Sequence, residues 1–313
     1  MKRGIVLSVL IAVSALSLVV AAQQQGGQQA PRVVEVEKVK DNLYMLTGGG
    51  GNTSVFITAN GVVVVDTKNP GWGQPLLDKI KTLTDKPITT IINSHTHGDH
   101  VSGNVEFPAT VEIVTHENTK TNMEKMVPNS TAQDQTLPKQ TIFQANGGKG
   151  LPKRTFKDKM TIGRGAEQID LYYFGRGHTN GDAWVLFPSL RVLHAADIFS
   201  GKNVPLLDSN NGGSAVAIPD TLQKAYDALT NVDTIVTGHS TLMTRADLRE
   251  YIDFNRDFLN EVRAAKKAGK SVNEVASAWK IPAKYKGYAE PQANRVQGNV
   301  ALVYKEVDAA GSR

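Results

Sequence analysis

Three of the chain's seven histidines lie within six positions, His95-Thr96-His97-Gly98-Asp99-His100. Neutral imidazole and carboxylate are good ligands for zinc, and also for iron or manganese. The segment directly follows a short apolar run, Thr89–Ile92, that reads as a buried strand, so the histidines sit on the loop at its C-terminal end. In extended backbone, residues i and i+2 point the same way, which lets His95 and His97 share one metal. Gly98 permits the backbone to bend, and Asp99 and His100 then turn to a second position nearby. The plain alternative is a polar loop that happens to be histidine-rich, and this spacing argues against it. The chain has no cysteine, so any metal must be held by His and carboxylates, no thiol nucleophile is available, and no disulfide contributes.

The elements around this cluster must hold it in place. Strand-like runs at Val33–Val39, Leu43–Leu46, Ser54–Thr58 and Val62–Val65 are separated by the turn signals Asp41-Asn42, Gly48–Gly51 and Asn60-Gly61. An amphipathic helix is predicted near Gln74–Leu83 and another near Glu117–Met126; residues 129–153 read as an exposed polar loop. Strands return at Gln168–Phe174, Ala183–Phe187 and Arg191–His194. A loop follows over Phe199–Ala217, then a helix near Thr221–Leu229 and a strand at Thr234–Thr237. Beyond His239 the remaining 74 residues are helical in pattern. Thr244-Arg-Ala-Asp247 and Ser271-Val-Asn-Glu274 are capping boxes, and a last helix is predicted near Pro291–Val307. Two β-rich halves with helices and a helical appendage make one compact α/β domain.

The histidine segment resembles the signature His-x-His-x-Asp-His of the metallo-β-lactamase superfamily. Four more matches follow in order: Asp66 closing the run Val62–Val65, His178 in Gly177-His178-Thr179, Asp197 in His194-Ala-Ala-Asp197, and His239 in Gly238-His239-Ser240. The resemblance implies a four-layer αββα sandwich over residues 32–243, with residues 244–313 as a helical extension packed on it. It implies one ion on His95, His97 and His178, a second on Asp99, His100 and His239, and Asp197 bridging them, with zinc the expected metal. Such ions, about 3.5–4 Å apart, can share a hydroxide that attacks a carbonyl carbon, and Asp99 is then the candidate to steer or accept the proton. Asp66, Ser94, Thr179 and Asp182 are candidates to orient the imidazoles; each also reads as a strand cap or turn former. His116, at a helix start, and His194, on a strand, read as structural.

One subgroup of zinc β-lactamases carries a Cys nineteen residues after the Gly-His-Thr histidine, and here that position is Asp197. The subgroup's Lys three residues later is missing; Lys202, five residues on, is the nearest substitute for holding a substrate carboxylate, with Asn210 or Asn211 near the carbonyl oxygen. A bridging Asp is instead similar to thioester hydrolases of hydroxyacylglutathione and to acyl-homoserine lactonases. Weak β-lactam hydrolysis, hydrolysis of a lactone, ester or thioester, and a non-hydrolytic metal-binding role are therefore the functions to separate.

Composition agrees with an ordinary globular protein: 313 residues, 40% hydrophobic and 21% charged. The net charge of +5 includes Lys2 and Arg3, and the basic residues form no stripe. Nucleic acid is therefore not an expected partner; a small carbonyl compound is, and no obligatory protein partner is inferred. Lys2-Arg3, the apolar run Gly4–Ala22 and the exit Val20-Ala21-Ala22 read as a signal peptide cleaved after Ala22, ahead of a flexible Gln- and Gly-rich lead-in over residues 23–31. This predicts a periplasmic or secreted protein, with a retained membrane anchor as the alternative.

Overall fold

Val62–Val65 is valine at every position and buried throughout, the composition of a strand covered on both faces. It is β4 of a seven-stranded sheet that follows chain order: β1 (Glu35–Lys40), β2 (Leu43–Thr47), β3 (Thr53–Ile57), β4, β5 (Ile88–Asn93), β6 (Glu112–His116) and β7 (Arg154–Phe156). The first four strands form antiparallel hairpins, and β4 to β7 run parallel. A second sheet has the order β13 (Met243–Thr244), β12 (Thr234–Thr237), β11 (Val192–Ala196), β10 (Trp184–Phe187), β9 (Ile169–Tyr172) and β8 (Lys159–Ile162), with β11 and β12 its parallel pair. These elements come from a computed structural model that describes residues 32–311. The expected signal segment 1–22 and the lead-in 23–31 lie outside the described residues.

The helices are α1 (Gly73–Lys81), α2 (Gly98–Val101), α3 (Glu117–Met123), α4 (Ile142–Ala145), α5 (Ile218–Ala228), α6 (Arg245–Lys267), α7 (Val272–Ala278) and α8 (Ala293–Gly311). Leu43, Phe56, Val65, Ile92, Leu171, Val185 and Val236 close the space between the sheets. Leu76 and Ile80 of α1 cover Val55, Val64 and Ile91 on the outer face of the first sheet. Leu222 of α5, Tyr251 of α6 and Val300 of α8 cover Trp184, Leu193 and Ile235 on the outer face of the second. The molecule is thus an α/β sandwich of four layers, helix, sheet, sheet, helix, and the C-terminal helices belong to the outermost one.

Both capping boxes of the C-terminal region form, Thr244 with Asp247 and Ser271 with Glu274. The segment 129–153, expected to be loop throughout, contains α4, opened by a Thr141–Gln144 capping box and anchored by Phe143 against Val101 and Met123. Strands β7 and β13, three and two residues long, exist through their pairing partners, since runs so short carry no period of their own.

Candidate metal centre

The carboxyl ends of the two parallel pairs, β4–β5 and β11–β12, meet at one rim of the sandwich. There the chain leaves the sheets through unusual backbone: Asp66 (φ 65°), Lys68 (φ 78°) and Ala196 (φ 48°) occupy positive φ. Such conformations cost non-glycine residues about 1–3 kcal/mol each, and the one at Ala196 immediately precedes Asp197. Two glycines allow close approach. A Cβ at Gly51 would lie 2.1 Å from the His100 ring, and one at Gly238 would lie 1.8 Å from Asp197 Oδ1.

Donor atoms of His95, His97, His178 and Asp197 all lie within 4.8 Å of one another, and so do those of Asp99, His100 and His239. Asp197 faces both groups. Its Oδ2 is 3.6 Å from His178 Nε2 and 3.9 Å from His95 Nε2, and its Oδ1 is 3.3 Å from His100 Nε2 and 3.2 Å from His239 Nε2.

The surrounding hydrogen bonds fix which ring nitrogens carry protons when the rings are neutral. His178 Nδ1 donates to the Leu206 carbonyl (2.6 Å), which can only accept, so His178 Nε2 is a bare lone pair. His97 Nε2 donates to Asp208 Oδ2 (2.7 Å), leaving Nδ1 bare. Those two bare nitrogens face each other at 3.0 Å. Ser94 Oγ donates to Asp66 Oδ2 (2.6 Å) and accepts from His95 Nδ1 (2.9 Å), so His95 Nε2 is bare as well, buried without a partner. His100 Nδ1 donates to Asp66 Oδ2 (2.7 Å), which turns its Nε2 inward, 3.3 Å from His239 Nε2. Lone pairs and carboxylate oxygens converging in this way repel one another unless a cation lies between them. The residues fit divalent metal ions.

Electrostatics divide the centre. Burial, reinforced by the neighbouring His100, holds His95 well below the ordinary histidine value, and burial with His97 lowers His178. Burial opposes charge on His100 too, but Asp197, Asp99 and Asp66 prevail and raise it well above. His239 is likewise raised to about 9, burial being outweighed by Asp197 and Asp99. Burial raises Asp99, yet His100 and His239 bring it down to about 2. Proton and metal cation are thus alternatives on the Asp99, His100 and His239 side.

Of the residues expected to orient the imidazoles, Asp66 and Ser94 do so directly. Thr179 and Asp182 bond each other, Thr179 N and Oγ1 donating to the Asp182 carboxylate (2.9 and 2.5 Å), and shape the turn that carries His178. The three residues expected to meet substrate are engaged elsewhere. Lys202 Nζ is bound by Asp247 (2.9 Å) and Glu250 (3.1 Å) on α6. Asn210 donates to Pro128 O (3.0 Å) and Asn211 to Val127 O (3.0 Å) and Asp208 Oδ2 (2.6 Å), so both amides are taken up by the protein's own backbone and Asp208. His116 caps α3 by accepting from Asn118 N and stacks on Tyr173. His194 is buried between the sheets, its Nδ1 2.9 Å from Ser54 Oγ.

Besides the Leu206 carbonyl, two side chains that contribute were not anticipated. Asp208 carries no motif and lies 111 positions from His97, the ring it orients. Lys68, fully buried, donates to Leu46 O (2.7 Å) and Gly51 O (2.5 Å), fastening the Gly48–Gly51 turn against Asp99 and His100. Burial lowers its pKa to about 7 against the pull of Asp66 and Asp99. An ammonium placed two residues after the strand-ending Asp66 was the available signal.

Comparison with known proteins agrees with this geometry. The family description "Metallo-beta-lactamase superfamily" matches residues 46–239. The metallo-beta-lactamase type 2 of Elizabethkingia meningoseptica is 26% identical over 257 residues, spanning 76% of this chain and 91% of that protein. A hydroxyacylglutathione hydrolase of Synechocystis sp. is 29% identical over 145 residues, 46% of each chain. Among solved structures, the stereoselective inverting sec-alkylsulfatase Pisa1 from Pseudomonas sp. superposes with a TM-score of 0.66 at 16% identity, covering 88% of this chain and 50% of that one, a likeness of fold.

Proposed function

Starting from the fact that the chain belongs to the metallo-beta-lactamase superfamily and is a metal-dependent hydrolase, we propose that it is an exported enzyme that holds two zinc ions and hydrolyses a small carbonyl compound. The observation that carries this reading is the inward-facing set of bare imidazole nitrogens. His95, His97 and His178 would hold one ion, Asp99, His100 and His239 the other, and Asp197 one oxygen toward each. Bound there, the ions supply Lewis acidity and lower the pKa of water toward neutrality. Asp99, drawn well into the ionised range and partly open to the cleft, would take the proton of the attacking water at Oδ2 and pass it to the leaving group. Asp66, Asp208 and the Leu206 carbonyl would keep the rings in register throughout.

The substrate reading is weak β-lactam hydrolysis. The extended similarity to a protein named as a metallo-beta-lactamase supports it, as does the His178-to-Asp197 spacing. The engagement of Lys202 by two carboxylates argues for poor turnover, because a drug carboxylate would have to displace both. A lactone, ester or thioester is the second reading, favoured by Asp197 in place of Cys and by the similarity to a hydroxyacylglutathione hydrolase. The test measures kcat/KM on a chromogenic cephalosporin, an acyl-homoserine lactone and a hydroxyacyl thioester. If the cephalosporin is untouched while the lactone turns over faster than about 10⁴ M⁻¹s⁻¹, roughly the lower end of ordinary enzyme efficiency, the β-lactamase reading gives way. Export would be checked by sequencing the mature N-terminus, expected at Gln23.

A further inference from the structure

The last helix reaches the metal centre through a single loop. Residues 202–216 contain only one short turn of their own, Ser209–Asn211, yet they orient two of the converging imidazoles. Leu206 O accepts from His178 Nδ1 (2.6 Å), Asp208 Oδ2 accepts from His97 Nε2 (2.7 Å), and Asp208 N donates to His178 O (2.9 Å). On its other side the same loop is held by the C-terminal region at four points. Ala289 N donates to Lys202 O (2.9 Å), Arg295 Nη1 to Val204 O (3.3 Å) and Asn299 Nδ2 to Pro205 O (2.9 Å), while Glu306 Oε2 accepts from Val216 N (2.9 Å). Glu306 also faces Arg176, two residues before His178, at 3.6 Å. Apolar packing runs alongside, since Val204 and Leu207 share one buried cluster with Val300 and Val303 of α8.

We propose that α8 is a positioning element for the metal centre, with Asn299 as its principal residue: by fixing the Pro205 carbonyl it sets the neighbouring Leu206 carbonyl, and through it the ring of His178. The carbonyls concerned cannot choose their own direction in a loop without a ladder of hydrogen bonds. Asn299 is buried, and its amide is directed at loop backbone and not at another helix. A helix needed only to cover apolar surface has no use for three polar side chains, Arg295, Asn299 and Glu306, that all end on the backbone of one loop. The inference rests on the metal-centre reading above.

The experiment uses the full chain. Asn299→Leu keeps the volume and removes the donor; Val303→Ala, on the same helix, removes apolar contact and no hydrogen bond. Zinc affinity is read by chelator competition, and the His178 Nδ1–H signal by NMR of metal-free protein. Loss of a group directly bonded to a ligand costs about 10–100-fold in metal affinity. Asn299 acts one bond further out, so the lower end is expected: about tenfold weaker binding of the tighter zinc, a lower kcat at little-changed KM, and a broadened or missing His178 Nδ1–H signal. Val303→Ala should lower the melting temperature and leave zinc affinity and that signal in place. An Asn299→Leu protein with unchanged affinity and an intact signal would overturn the proposal, and so would a Val303→Ala protein that reproduces the loss. If Asn299→Leu does not fold, Arg295→Met replaces it, its side chain being only half-buried; a smaller loss of the same kind supports the proposal, and no change refutes it. Should the unaltered protein bind no zinc, the metal-centre reading fails, while the His178 signal still decides whether α8 positions that ring.

Discussion

Replacing Asp208 by Asn changes one heavy atom and should move a proton across the neighbouring ring of His97. Oδ1 of Asp208 accepts from Ser130 N (2.9 Å), Asn210 N (3.1 Å) and Asn211 N (3.4 Å), and Oδ2 accepts from His97 Nε2 (2.7 Å) and Asn211 Nδ2 (2.6 Å). Asparagine keeps one acceptor oxygen. Satisfying the three backbone donors leaves the new NH₂ facing His97, whose Nε2 must then present a lone pair. The His97 proton moves to Nδ1, the atom that faces His178 at 3.0 Å and would bind metal. Any ion must first displace that proton, so zinc affinity should fall about 10–100-fold, about 1.4–2.8 kcal/mol at 1.4 kcal/mol per tenfold. Loss of a charge-assisted hydrogen bond should lower folding stability by a further 1.5–3 kcal/mol, roughly the value of such bonds. Chelator competition reads the affinity, and long-range ¹H–¹⁵N spectra of metal-free protein read the tautomer. An affinity within twofold of the parent, with the His97 proton still on Nε2, would refute the tautomer argument.

Elemental analysis of protein purified without chelator should find close to two zinc ions per chain; a value near zero or one, unchanged by added zinc, removes the dinuclear reading. Asp197→Ala should lose hydrolysis by orders of magnitude together with at least one ion, whereas Asp197→Cys, still able to ligate, should retain part of both. His116→Ala should keep both ions and activity while lowering stability, because what it loses is its helix cap, its bond to the Lys157 carbonyl and its packing on Tyr173 and Phe156; damage equal to that of His95→Ala would show the histidines wrongly divided. In metal-free protein the raised pKa of His239 contributes stability that is complete below about 6.5 and lost as pH rises through about 9. His239→Gln should therefore be less stable than the parent at pH 6 and indistinguishable from it at pH 10, and a difference that grows with pH contradicts the sign.

How much of this could be read from the residues depends on where the chemistry is written. His95 to His100 are neighbours on a loop after a strand, and their spacing displays their function; His178, Asp197 and His239 each stand beside a glycine or at the end of an apolar run. The strand and helix pattern reads as one compact α/β domain, and the four-layer arrangement is what the family resemblance implied. Asp208 escapes because its role lies in a tertiary approach to His97, and its local context, Asp-Ser-Asn-Asn-Gly, is that of any turn. The Leu206 carbonyl escapes for a stronger reason, since a backbone atom leaves no mark on residue type. Lys202, Asn210 and Asn211 show the converse: residue types suited to substrate, near the right place, whose hydrogen bonds go to α6 and to the backbone of Val127 and Pro128.

The same geometry bears on stability. Three non-glycine residues at positive φ, a buried lysine at Lys68 and the opposed lone pairs of His97 and His178 are all gathered at one rim. At about 1–3 kcal/mol for each strained residue, the backbone alone sets several kcal/mol against a net stability that for a domain is only about 5–15 kcal/mol. The sheets and their helical layers must supply the difference, and the ions should return part of it. A ligand that binds only the folded chain adds about 4.1 kcal/mol when present at a thousand times its Kd, and here it would also turn repulsion between bare nitrogens into coordination. The strain at Asp66, Lys68 and Ala196 thus falls on the residues that orient His100, fasten the Gly48–Gly51 turn and lead into Asp197, so metal binding should offset part of its cost.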